Sequence, residues 1–83
     1  MSYGPQPSLL GKLTAKDFPA ASVVLQTQDG SVCRLRHAFY HREGDWIAVY
    51  SEHSGYFMFR LTTIASIKGM VREENDRFAL SGL

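Results

Sequence analysis

The sequence predicts a mainly β fold, a small five-stranded barrel with a short N-terminal helix. Three observations predict it. Short apolar runs rich in β-branched and aromatic residues recur along the chain: SVVLQT, VCRLRHAFYH, DWIAVYS, YFMFRL and TTIASIKGMV. Turn signals separate them, at Asp29-Gly30, at REGD and at EHSG. The strands are too few and too short for two large packed sheets, and curling into one small barrel removes most exposed edges.

The elements follow in order. Residues 1–7, MSYGPQP, read as a flexible tail, because two prolines and a glycine prevent regular structure. The barrel domain spans 8–72 and opens with a short helix in SLLGKLTAK. Ser8 can cap that helix, with Leu9, Leu10 and Leu13 on one side. Thr14 with Asp17 offers a second start, a capping box with Asp in the usual Glu position. Pro19 ends either version and makes Phe18 extended.

Val23, Leu25 and Thr27 share one face of the first strand. A two-residue Asp29-Gly30 loop would set Leu25 against Arg34. A three-residue loop, Gln28-Asp29-Gly30, sets Leu25 against Cys33 and Val23 against Leu35. The second register keeps one face apolar and is the predicted one. Cys33, Leu35, His37 and Phe39 then share a parity. A helix over 31–43 is the rival, capped by Ser31 and stopped by Gly44. Its Val, Cys, His, Phe and Tyr are weak helix formers, which favours the strand.

The central hairpin is predicted across EHSG, with Tyr50 opposite Phe57, Ala48 opposite Phe59 and Trp46 opposite Leu61 on the inner face. Val49 and Met58, then Ile47 and Arg60, pair on the outer face. A bend at Thr62-Thr63 leads to the last strand, with Ile64 and Ile67 inward. Residues 73–83 form a polar C-terminal segment that frays at its end. The outer face of the hairpin is still apolar. The N-terminal leucines, another subunit or a different protein would have to cover it.

Composition narrows the function classes. Apolar residues make up 45% and charged residues 20%, so the chain is globular, not disordered. The net charge of +1 is spread along the chain, without the strong basic excess of an avid phosphate binder. One cysteine, Cys33, excludes an intrachain disulfide framework. The N-terminus lacks the pattern of a signal peptide, and no apolar run is long enough to span a membrane. A cytoplasmic protein without membrane contact is the expectation.

The helix, the strand ending in VVLQTQDG, the central hairpin and the closing TTIASI together resemble the layout of Sm-like proteins, including the Hfq type. Other SH3-like small barrels read in a similar way. The resemblance covers residues 8 to 71 and is one of pattern. It implies a bent five-strand barrel that forms a ring oligomer by edge-strand pairing. The family's second-strand Gly is missing around Arg34 to His37, and FYHREGDW and FRLTTIA replace its RNA-binding loops. The family's usual RNA site is therefore not carried over.

Candidate chemistry is sparse. Tyr56, Met58 and Arg60, with Val49 and Ile47, are the predicted partner-binding set, since Tyr, Met and Arg are enriched at interface hot regions. Arg34 and Arg36 share a predicted face with Tyr40, and Arg42 follows, an alternative nucleic-acid patch by charge and stacking. Cys33, His37 and His41 recur every four residues, with His53 in a loop, but strand spacing of about 13 Å keeps them from sharing one metal ion. There is no nucleophile elbow, P-loop, dinucleotide fingerprint or C-x-x-C. No enzyme, metal or cofactor is expected. The expected function is an interaction module, self-associating or binding a protein partner, with nucleic acid as the alternative.

Overall fold

The computed structural model describes residues 13–73 and 78–82. Among these residues, seven strands form one sheet: β1 (Ser22–Thr27), β2 (Val32–Arg36), β3 (Ala38–Glu43), β4 (Trp46–Ser51), β5 (Gly55–Arg60), β6 (Ile64–Arg72) and β7 (Phe78–Gly82). The order is β2-β1-β6-β3-β4-β5, and β7 also pairs with β6. The sheet is mainly β and curls into an open half-barrel. The predicted five strands become seven for two reasons. The second breaks in two at His37, and the C-terminal segment contributes β7 where a fraying end was expected.

The N-terminal helix reduces to a single 3-10 turn, Ala15–Asp17, within the described residues; Ser8, Leu9 and Leu10 lie outside them. Its start is the Thr14–Asp17 pairing that the sequence offers. Thr14 donates its backbone N–H to Asp17 Oδ2 at 2.7 Å and its hydroxyl to the same oxygen at 3.1 Å. That backbone bond, then the hydroxyl bond and the Arg72 charge, hold the Asp17 carboxyl below the usual carboxylate range.

The β1–β2 hairpin has the predicted register, Leu25 opposite Cys33 and Val23 opposite Leu35. Asp29 Oδ1 accepts from the Thr27 hydroxyl and from the Ser31 N–H, which closes the three-residue turn. Residues 32–36 and 38–43 are strands, not the rival helix. At His37 φ is 49°, in the left-handed region. This one residue reverses the parity of the chain. Leu35 packs on the inner core before it, Ala38 and Tyr40 after it, while Phe39 turns to the other face. The single face predicted for Cys33, Leu35, His37 and Phe39 is therefore split. The Glu52 N–H donates to His37 O at 3.1 Å, and the Ala38 N–H to Ala21 O at 3.1 Å, so the bend is anchored on both sides.

The central hairpin differs from prediction by one residue. Ser51 pairs with Gly55, so the turn is Glu52–Ser54 and Tyr50 faces Tyr56. Gly55 has φ of 87°, the positive value that ends a three-residue hairpin loop, and it thereby becomes a strand residue. A one-residue slip exchanges the two faces of a strand. The inner face is thus Ile47 and Val49 against Phe59 and Phe57, where Trp46, Ala48 and Tyr50 were expected. Ile64 and Ile67 are both buried as predicted, although their spacing is odd. A register shift between Gln26 and Thr27 pairs Leu25 with Ile67 and Thr27 with Ile64, which turns both isoleucines inward.

Two cores result, one on each side of the sheet. The inner one gathers Val23, Leu25, Ala38, Tyr40, Ile47, Val49, Ile64 and Ile67. Each Val, Leu or Ile among them contributes about 1.5–3 kcal/mol on full burial. The second is built on Phe39, Ala48 and Tyr50, and is covered by Leu13, Phe18, Met58, Met70 and Phe78. The outer face of the hairpin is thus covered from within the chain, by the N-terminal segment and β7. Arg72 seals this layer: its side chain is 10% exposed, lies over Phe39 and Phe78, and comes within 3.8 Å of Asp17.

Tyr40 is 3% exposed, and its hydroxyl has no hydrogen-bond partner among the described residues. Such a group carries an unrecovered desolvation cost. Tyr40→Phe is expected to raise stability by about 1 kcal/mol, read as an upward shift of the urea midpoint at unchanged m-value. A loss of stability would mean that the hydroxyl is bonded in solution.

Candidate interaction surface

Among the described residues the strand order ends at β2 on one side and at β5 on the other, and β7, which pairs with β6 alone, is a third lateral strand. A lateral strand presents unpaired backbone donors and acceptors along its free side. The two ends of the strand order differ in side chains. β2, VCRLR, holds Arg34 and Arg36 exposed at alternate positions. β5, GYFMFR, holds four consecutive large apolar residues and one charge, Arg60, at its end.

The predicted partner-binding set divides here. Ile47 and Val49 are fully buried in the inner core. Tyr56, Met58 and Arg60 lie on the opposite face of the sheet. Met58 is half-buried against the second core, whereas Tyr56 is 40% exposed. The Arg60 guanidinium lies 5.3 Å from the centre of the Trp46 ring, a cation–π contact that holds it beside the edge. On the inner side, Phe57 and Phe59 are half-buried and stack with ring centres 6.4 Å apart. β5 is thus apolar on both faces, and among the described residues it pairs along one side alone, with β4.

The alternative nucleic-acid set also separates. Arg34 and Arg36 remain exposed, but the His37 bend sends Tyr40 into the inner core. The predicted stacking residue is therefore lost to the patch. Arg42 is exposed on β3 and donates from Nε to Gly44 O at 3.2 Å. Register adds a residue that the sequence alone could not place. Val24 pairs with both Arg34 and Lys68, so the three side chains form a row across β2, β1 and β6. None of these three strands carries an acid, and no ion pair reaches Arg34, Arg36 or Lys68 among the described residues.

Cys33, His37 and His41 do not converge. Cys33 is half-buried opposite Leu25, and His41 Nδ1 meets Arg72 O at 2.9 Å. His37 and His53 meet edge-on at 5.7 Å, with Glu52 beside His53 at 3.7 Å. The described residues hold no group of three or more His, Cys, Asp or Glu that could bind a metal ion. No helix among them is long and apolar enough to cross a membrane.

The fold defines a small, mostly β domain with a curled open sheet. Compared with protein-family models, curated proteins and solved structures, the chain gives no match.

Proposed function

We propose that the chain is a non-enzymatic interaction module of the small β-barrel type, whose partner adds along β5. The observation that carries this is the contrast between the two ends of the strand order: β2 holds Arg34 and Arg36 exposed along its length, and β5 presents Tyr56, Phe57, Met58 and Phe59 with its one charge, Arg60, at the end. Sheets defend edges that must stay free with such charges, so of these two ends β5 is the one fit for pairing. The SH3-like or Sm-like type is supported by the bent β2–β3 segment. Counted as one strand, it brings the strands up to β6 to five, in the predicted order.

The test is a panel of random extended peptides displayed on phage and panned against the full chain. Enriched peptides should lose binding to Tyr56→Lys and should slow amide exchange in β5. Enrichment that ignores Tyr56→Lys, or no enrichment at all, removes peptide addition at this edge.

A second reading rests on the acid-free sheet of β1, β2 and β6. Arg34, Arg36 and Lys68 offer three cations to a phosphodiester backbone, without an aromatic for base stacking. Sequence-independent, salt-sensitive binding is the consequence. With three phosphate contacts, log K against log salt should have a slope of about −2 for single strands. Fluorescence anisotropy with labelled single-stranded RNA and DNA reads this. Binding that survives Arg34→Glu with Arg36→Glu, or none at low salt, ends the second reading.

A further inference from the structure

The β5 edge could receive any extended chain, but its residues are complementary to themselves. We propose that its occupant is a second copy of this chain, paired antiparallel across a two-fold axis with Met58 opposite Met58. The proposal rests on the β5-edge reading and names its partner.

The choice of strand follows from charge. Two copies of β2 set arginines of one copy among those of the other, and like charges directly opposite are destabilising. Two copies of β5 bring together one cation each, at opposite ends of the paired segment.

The register follows from geometry. Directly opposed residues share a face of the sheet, so a two-fold axis normal to the sheet pairs residues of equal parity. Centring on Met58 sets the whole of Tyr56–Arg60 against itself. Centring on Phe57 instead pairs Arg60 with turn residue Ser54, and centring on Phe59 pairs Phe57 with Leu61 of the following 3-10 turn.

In the Met58 register every cross-pair is favourable. Phe57 meets the partner's Phe59, an aromatic pair on the inner side where both rings are half-buried. Tyr56 meets the partner's Arg60 on the other side, twice by symmetry. Arg60 is already held over Trp46, so less side-chain freedom is lost when it reaches the partner's ring. The pairing also covers the free side of β5 and makes the interface isologous, which closes at two copies.

The experiment is sedimentation equilibrium of the full chain over a wide concentration range. Mass should rise from 9.3 kDa to twice that value. Tyr56 is exposed enough to be replaced without disturbing either core, and circular dichroism checks this for each variant. Tyr56→Lys places lysine against the partner's Arg60 twice and should raise the dimer Kd at least about tenfold. Tyr56→Glu places a carboxylate there and should lower Kd several-fold. Tyr56→Lys combined with Arg60→Glu should restore the dimer that Tyr56→Lys loses. Opposite responses to Lys and Glu at one position are specific to this register, because general damage to the edge moves both the same way.

A wild-type chain that stays at 9.3 kDa at the highest concentration overturns the proposal. So does a Kd that shifts in the same direction for Lys and Glu. In either case the peptide panel decides separately on the edge itself. Peptides that protect β5 from exchange keep the edge reading with a different partner, and their absence removes both.

Discussion

Gly69→Ala is expected to destabilise the protein by about 3–4 kcal/mol, from left-handed strain together with overpacking. Gly69 has φ of 138°, and an added Cβ would lie 2.5 Å from Ser22 O and 2.8 Å from Val23 Cα. Those are backbone atoms of β1, which cannot swing aside as a flexible side chain can. Gly69 also sits on β6 between Lys68, which pairs with β1, and Val71, which pairs with β3. A forced shift there separates the two halves of the half-barrel. In a domain of this length the loss corresponds to a fall in melting temperature of about 15–20 °C. Thermal unfolding by circular dichroism reads it. A fall of less than about 5 °C, or roughly 1 kcal/mol, would mean that β1 and β6 do not approach so closely at this point.

Phe39→Ala should cost about 3–5 kcal/mol, the range for emptying a buried aromatic site. Phe39 is fully buried and is the hub of the second core. Its ring centre lies 5.0 Å from that of Tyr50, 5.4 Å from Phe78 and 5.7 Å from Phe18, with the Arg72 guanidinium at 5.5 Å. The contacts run to four different parts of the chain: the N-terminal segment, β4, β6 and β7. Besides the global loss, the N-terminal turn and β7 should therefore loosen first. Hydrogen exchange should show early loss of protection in β7 while the β1–β2 hairpin, which belongs to the inner core, keeps its own. Uniform loss across the chain would mean that the two cores unfold as one unit.

The parts of the fold that were legible in the sequence are those governed by local pattern. VVLQTQDGSVCRL specifies the first hairpin and its register, because only a three-residue turn keeps Val23, Leu25, Cys33 and Leu35 on one face. The Thr14–Asp17 cap was legible for a similar reason, since both partners lie within one turn. The hairpin at Ser51–Gly55 was misread because Gly55 serves equally as the last loop residue or the first strand residue. That ambiguity of one position exchanged the faces of Tyr56, Met58 and Arg60 relative to Ile47 and Val49. The partner set was half legible for this reason. The nucleic-acid set lost Tyr40 to the His37 bend, and nothing in the local pattern marks a histidine as left-handed. Lys68 was invisible because its neighbours Val24 and Arg34 lie far away in the sequence.

The sequence by itself determined that the chain is mainly β, roughly where the strands up to β6 lie, and which residues are apolar enough to be buried. Those properties follow from propensity and period-two patterning, which act over a few residues. Only the tertiary structure decided which face each strand turns inward, that the hairpin's outer face is closed by Phe18, Met70 and Phe78, and that β5 is left at one end of the strand order. Those depend on register and on long-range pairing. A shift of one residue there costs little locally and reverses every side chain beyond it.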